Sequence, residues 1–507
     1  MQYKCGGRKM KYVIGIDLGT SAVKALLMNE QGAIVDEASR SYPLIQEKPS
    51  YSEQNPNDWV TGTKAVIQEI VNRFTGDVST IVGISYSGQM HGLVLLDENN
   101  DVLRPAILWN DTRTTEQCKQ IVERVGQEEL LRITKNNALE GFTLPKILWV
   151  KEYEPEIFKA VKTFLLPKDY VRFVMTGNLH MDYSDAAGTL LLDIEKSEWS
   201  QEIAVGLGID LAICPPLVSS TTEVGQLTEE FAKSTGLTTA TKIYVGGADN
   251  ACGAIGSGVA GDGKTMVSIG TSGVLLSYEE SNSKDFEGKV HYFNHVVKDA
   301  YYTIGVTLSA GHSLSWFKEK FAEGQSYDEL FAGIDTIAPG SNGLLFTPYI
   351  VGERTPYADS TIRGSYIGIG AAHTKLHFAR AVMEGIVFSL RDSLEIFRAS
   401  GKDISEMISI GGGAKNPVWL QMQADIFNVT VYKLKNEQGP SIGACMIAAV
   451  GAKIYTDFKE AVQVCVQVDG KFEPNPEKVE IYNQLYPVYQ QIYTQTKALN
   501  EQLTLFR

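Results

Sequence analysis

Residues 242–278 read K-I-Y-V-G-G-A-D-N-A-C-G-A-I-G-S-G-V-A-G-D-G-K-T-M-V-S-I-G-T-S-G-V-L-L-S-Y, and their reading decides the fold. A β-branched run ends in Gly246 and Gly247 and delivers one acid, Asp249. Small residues over 251–255 follow in a helical pattern. A second apolar run, 266–269, then turns tightly at Gly270-Thr271-Ser272-Gly273 and returns over 274–278. The start of the chain repeats that hairpin, with an apolar run over 12–17, a turn at Gly19-Thr20-Ser21 and a returning run over 23–28. Two hairpins with a G-T-S turn predict two related halves with Asp249 between them. The order of elements also disposes of a false motif. GVAGDGKT over 258–265 matches G-x-x-x-x-G-K-[ST] letter for letter, but a phosphate loop of that kind runs from strand into helix. Here a helix precedes and a strand follows, so the match is rejected.

At 507 residues the chain exceeds the size at which one core keeps growing. Two domains are expected, divided at 258/259, where glycines and small residues over 257–264 suit a hinge. The net charge of −14 and pI near 5.1 argue against nucleic-acid or anionic-membrane partners, so an anionic ligand needs local donors. Six cysteines form no C-x-x-C pair, and no apolar run has membrane-spanning length. With no signal peptide, a reducing cytoplasm is expected. Residues 1–11 read as a disordered leader or a remnant of the expression vector.

A helical pattern over 57–74 is followed by a strand, 81–85, that runs into Ser87-Gly88-Gln89-Met90-His91-Gly92. A polar loop between glycines at a strand end is where α/β proteins place ligands. A lone histidine is more often a hydrogen-bonded structural residue; Gln89 and the glycines favour a ligand contact for His91. Trp109-Asn110-Asp111-Thr112-Arg113 ends another strand with an aromatic, an amide, an acid and a guanidinium, the mixture a carbohydrate needs. It reads equally as the lead-in to a helix over 114–125 capped by Asp111 or Thr112. In the second half Gly311-His312-Ser313 opens a helix, residues 349–356 form a loop, and a strand enters Gly411-Gly412-Gly413-Ala414-Lys415-Asn416 before a helix over 417–427. That third tight turn lets backbone approach a purine or phosphate where a side chain would clash. Metal binding by His291/His295 or His373/His377 is not expected, because neither i, i+4 pair encloses an acid. A helix over 479–499 leaves two readings open, packing in trans in a homodimer or capping its own domain.

With these residues the chain resembles the FGGY carbohydrate kinases from about residue 12 to about residue 494. Both signature regions match, GFTLPKILW over 141–149 and GSYIGI through HFARAVME over 364–384. SGQMHG over 87–92, LRPAILWND over 103–111, LPKDY over 166–170 and SDAAGT over 184–189 look most like the branch of the family that acts on D-xylulose. The resemblance implies an α/β architecture of two ribonuclease-H-like (actin/hexokinase-like) domains with a central interdomain cleft. The sugar-binding domain would span 12–258 and the nucleotide-binding domain, with a helical tail, 259–507. It implies transfer of the ATP γ-phosphate to the 5-hydroxyl of D-xylulose, with gluconate, ribulose or another polyol as alternative acceptors. Asp249 would be the base and Asp17 the Mg²⁺ ligand. Gly19, Thr20, Ser21, Gly270, Thr271 and Ser272 would cradle phosphates; Gly311, Gly412, Gly413 and Asn416 would contact the nucleotide; Met90, His91, Trp109, Asn110, Asp111 and Asn250 would line the sugar site. Phosphoryl transfer needs alignment and charge neutralisation more than covalent help, and a carboxylate that accepts the hydroxyl proton serves it. Asp249 also has a plain alternative as a helix N-cap. A sugar acid would ask for a cation, and from 85 to 113 only Arg104 and Arg113 offer one. Two positions depart from the family pattern. Ala248 stands where a third glycine is usual, which is harmless if its backbone angles are ordinary, and Tyr86 stands where it would narrow the pocket.

Overall fold

The computed structural model describes residues 9–507; most of the leader reading, residues 1–8, lies outside them. The first half is built on a twisted sheet. β1 (Tyr12–Leu18), β2 (Ala22–Asn29) and β3 (Ile34–Ser41) form an antiparallel meander, and β4 (Ile81–Gly88) runs parallel beside β1. β5 (Glu223–Gln226) and β6 (Lys242–Tyr244) complete the order β5-β6-β4-β1-β2-β3, and the short β7 (Gly247–Ala248) pairs with the far end of β4. β4 continues past the predicted 81–85 because Asp17 and Leu18 lie in register with Ser87 and Gly88. Four helices matter to the site: α1 (Pro56–Arg73), α2 (Thr143–Tyr153), α3 (Pro167–Thr176) and α4 (Asp249–Gly256). α1 begins where Asn55 caps it and Pro56 occupies the first position, where a missing N–H costs nothing.

The second half repeats the plan. β8 (Thr265–Ile269) and β9 (Gly273–Glu279) form the second G-T-S hairpin, followed by β10 (His291–Asn294) and β11 (Tyr301–Thr307). With β12 (Glu406–Gly411), β13 (Thr430–Leu434) and β14 (Val468–Phe472) the order is β10-β11-β9-β8-β12-β13-β14. In both sheets an antiparallel hairpin leads and a later strand lies parallel beside its first strand, β4 on β1 and β12 on β8. The helices are α5 (Gly311–Phe321), α6 (Lys375–Ala399), α7 (Pro417–Phe427), α8 (Pro440–Gly451) and α9 (Pro476–Leu503). α9 buries its tyrosines in its own half, with Tyr482 and Tyr486 donating to Glu384 and Asp392 of α6, so its capping role is realised in cis.

α8 joins the halves. Although it follows β13 in sequence, it packs on β1, on β4 and along α4. A Cβ at Gly15 in β1 would overlap the backbone of Ser441 and Cys445, and one at Gly443 would overlap the Cys252 carbonyl of α4. Glycines at this crossing let backbone touch backbone. In the segment 257–264 beside it, Ser257, Gly258 and Val259 are buried, whereas Asp262 and Lys264 are exposed.

Candidate active site

Asp17 sits at the end of β1, paired across the hairpin with Lys24 and beside Ser87, whose Oγ donates to its Oδ1 at 2.9 Å. Burial raises its carboxyl above the usual range, opposed by the Ser87 hydrogen bond and Lys24. Among the described residues its Oδ2 accepts no hydrogen bond. A half-buried carboxylate with an open oxygen beside a phosphate-sized turn fits a Mg²⁺ ion, which takes oxygen ligands and would offset the burial penalty. Asp249 opens α4 rather than capping it. The cap position is Ala248, fully buried with φ −56° and ψ 145°, so the missing third glycine is harmless there. The glycine-dependent position is Gly246, at φ +88° with the Tyr86 carbonyl against it. Burial, and next the charge of Asp17, push the Asp249 carboxyl up to about 7. Its Oδ1 accepts from the Asn250 backbone at 2.7 Å and side chain at 3.2 Å.

His91 adopts φ +68°, an unusual backbone for a non-glycine residue. Its Nδ1 lies 2.5 Å from the Gly188 carbonyl, so the proton sits on Nδ1 and Nε2 is left as an acceptor for a hydroxyl hydrogen. Burial and Lys146 hold the ring neutral, with its pKa lowered to about 3. Gly188 has no room for a side chain, because a Cβ would meet Met90 Cε at 2.9 Å and His91 Nδ1 at 3.1 Å. Met90 is buried, and Asn250 Nδ2 approaches its sulfur at 3.5 Å. Trp109 and Asn110 are exposed, and Trp109 Nε1 donates to Thr20 Oγ1 at 2.8 Å, tying this aromatic to the Gly19-Thr20-Ser21 turn.

Asp111 corrects the sugar-site expectation. It is fully buried, with one oxygen taken by Ser52 N and Arg113 Nη2 and the other by Arg113 N and Nε, so it anchors the loop and offers no oxygen to a ligand. Nor does Asp111 or Thr112 cap the next helix, which begins at Thr115 with Thr114 before it and no side-chain cap bond. Tyr86 likewise leaves the pocket alone. Its ring is fully buried in the first-half core, and its hydroxyl meets Met175 Sδ at 2.7 Å.

In the second half, Gly270, Thr271, Gly311, Gly412 and Asn416 line one cavity of about 540 Å³, together with Ser315, Tyr327, Phe331 and Lys415. That volume suits a nucleoside. Gly311 N donates to the Gly270 carbonyl at 2.8 Å and His312 N to the Thr271 carbonyl at 3.0 Å, so the start of α5 sits on the second turn. Asn416 caps α7 through Oδ1, which accepts from Val418 and Trp419, leaving its Nδ2 as a donor. Ser272 is exposed in the turn, while Gly413 is buried against Ile269 and supports the loop from beneath. A cavity of about 680 Å³ elsewhere, lined by residues 32–37 and 465–467 among others, holds none of the expected site residues.

The FGGY N-terminal carbohydrate-kinase domain matches residues 12–256, and the FGGY C-terminal domain matches residues 265–452. The chain belongs to the FGGY family of carbohydrate kinases. It is 59% identical over 498 residues to a xylulose kinase of Bacillus subtilis, covering 98% of this chain and 100% of that one. Identity to a Lactococcus lactis xylulose kinase is 50% over 499 residues, covering 98% and 99%. Among solved structures, a xylulose kinase from Brucella ovis superposes with a TM-score of 0.89 at 34% identity, covering 97% of this chain and 100% of that one. The two-domain α/β architecture is thus that of the sugar kinases.

In this FGGY kinase the floor of the site rests on a buried ion cluster. Lys168 Nζ of α3 lies 2.7 Å from Asp169, 2.7 Å from Asp182 and 2.8 Å from Asp185, and Arg172 lies 2.8 Å from Asp169, all with fully buried side chains. Three acids face two bases. Burial raises Asp185 well above the usual carboxylate range, against the pull of Lys168 and with Asp182 and Asp169 adding to the rise. The three acids have the spacing of a metal site, but the Lys168 ammonium occupies their focus. Asp182 holds Ser184, and Ser184 Oγ accepts from Ala248 N at 2.9 Å, one residue before Asp249. Lys146 of α2 is the other support. It donates to the His91 carbonyl at 2.9 Å and to that of Gly141 at 2.6 Å, and Thr143 Oγ1 is a second donor to the His91 carbonyl at 3.1 Å. The signature motif marked Lys146 and the LPKDY motif marked Lys168, but neither told what the lysine touches.

Proposed function

We propose that the protein transfers the γ-phosphate of ATP to the 5-hydroxyl of D-xylulose, giving D-xylulose 5-phosphate and ADP. The observation that carries the mechanism is Asp249, whose carboxyl has a pKa near 7 at the head of α4, within electrostatic reach of Asp17. A carboxylate of that basicity accepts the hydroxyl proton late in transfer, near working pH, a contribution of about 10²- to 10⁴-fold. The choice of acceptor is supported by the 59% full-length identity to a xylulose kinase. A gluconate acceptor gains nothing from Arg104 and Arg113, which pair with Glu53 and Glu154 and with Asp111 and Glu53.

His91 Nε2, the Trp109 face and the Asn110 and Asn250 amides position the sugar so that its primary hydroxyl meets Asp249. The G-T-S turns at Gly19–Ser21 and Gly270–Ser272 hold phosphate oxygens through backbone N–H groups. Asn416 Nδ2 and the glycines at 311, 412 and 413 hold the nucleoside. Asp17 holds Mg²⁺, which when bound neutralises phosphate charge. The halves divide at 258/259, close about the α4–α8 crossing and exclude water that would otherwise hydrolyse ATP. No helix of the described residues is long and apolar enough to cross a membrane, and we place the enzyme in the cytoplasm. An ADP-release assay with Mg²⁺ and ATP across D-xylulose, L-ribulose, D-ribulose, glycerol and gluconate, against a no-sugar blank, tests the reading. D-xylulose should give the highest kcat/KM; a preference for any other acceptor refutes the assignment.

A further inference from the structure

Arg354 belongs to the second half, and its backbone is held from both sides. Glu353 before it accepts from Leu308 N at 3.0 Å, Thr307 Oγ1 at 3.2 Å and Ser389 Oγ at 3.1 Å. Thr355 after it donates its N–H to Val306 O at 3.0 Å and accepts from Val306 N at 3.1 Å. Glu353 and Thr355 are each 2% exposed, whereas the Arg354 side chain between them is exposed. Its anchoring strand, β11, ties two parts of the site together. Thr307 pairs with Gly273 at the end of the second phosphate turn, and Ile304 pairs with His291, whose ring lies 5.9 Å from Phe142, itself 4.8 Å from His91.

The guanidinium makes no hydrogen bond or ion pair among the described residues. The other arginines near the pocket, Arg104, Arg113 and Arg172, are each held by a carboxylate. The positive charge of Arg354 helps to hold both His91 and His291 neutral, and its own surroundings include Glu140 of the first half. A pinned cation with open donors is preorganised for a ligand oxygen.

We propose that Arg354 is an acceptor-binding residue supplied by the second half, donating to hydroxyl oxygens of the bound ketose opposite His91. The acceptor site is then complete only when both halves contribute, which couples sugar binding to closure. This rests on reading the pocket as that of a ketose kinase. The test uses the full chain with Arg354→Gln and Arg354→Lys. A lost charged hydrogen bond predicts that KM for D-xylulose rises about tenfold or more in Arg354→Gln, less in Arg354→Lys, with KM for ATP and melting temperature unchanged. A second readout is calorimetric binding of D-xylonate, a five-carbon acid, which should bind wild type and lose about tenfold or more in affinity in Arg354→Gln. A fall in kcat with sugar KM unchanged would overturn the proposal and move the cation to the transferred phosphoryl group. Unchanged kinetics and unchanged or absent xylonate binding overturn it as well. The ketose-kinase reading stands or falls separately on whether wild type turns over D-xylulose.

Discussion

Replacing Asp249 with asparagine should remove activity and add stability, by amounts that follow from one cause. The folded carboxyl has a pKa of about 7 against an ordinary value of 3.8. The proton is therefore bound more tightly in the folded than in the unfolded state. Stability is fully present below the unfolded value and is lost as pH rises to the folded one. Roughly three pH units at 1.36 kcal/mol each set an upper bound of ~4 kcal/mol, and solvent access to a half-buried group halves this to ~2 kcal/mol. The substituted amide carries no charge, so the variant should gain ~2 kcal/mol near pH 8, or ~4–8 °C if one half melts as a unit, and visibly less near pH 5.5. Turnover should fall by about two decades or more while sugar binding persists. In the wild type, kcat/KM should drop about tenfold per unit below about pH 7. Thermal melts at both pH values, beside the coupled assay, test both sides. A variant that keeps its activity removes the base assignment, and a stability gain equal at the two pH values refutes the burial argument.

Other perturbations probe the supports. Lys168→Met leaves buried carboxylates without their cation and should cost ~3–5 kcal/mol, read by urea denaturation; a loss under ~1 kcal/mol would mean that the floor of the site does not rest on the cluster. Lys146→Met frees the left-handed His91 backbone, so KM for the sugar should rise with KM for ATP unchanged. A parallel rise in both would point to general loosening instead. Sugar plus a nonhydrolysable ATP analogue should reduce the radius of gyration in small-angle scattering, and an unchanged profile would refute closure about the α4–α8 crossing.

The two hairpins were legible because apolar alternation and a glycine turn are local signals, and the order of helix and strand around 258–265 was enough to reject the phosphate-loop match. The turn at 411–416 was legible for the same reason. What escaped were contacts between distant positions. Asp111 reads as a sugar ligand until Ser52 and Arg113 are seen to hold its oxygens. Tyr86 reads as a pocket residue until the strand register turns its ring into the core. No period or spacing announces that Lys146 holds a carbonyl 55 residues away, or that Glu353 and Thr355 pin the backbone on either side of Arg354 to β11. The double nature of His91, structural at Nδ1 and open at Nε2, also needed coordinates, since sequence weighs those roles as rivals.

The docking of α8 on β1 bears on how the protein is made. The face of β1 around Gly15 is covered by residues synthesised about 430 positions later. At ~5–20 residues per second, that face waits roughly 20–90 s on the ribosome with its apolar neighbours exposed. The first half thus emerges as an unfinished surface, and its yield in the cell should depend on chaperones that shield it until α8 arrives.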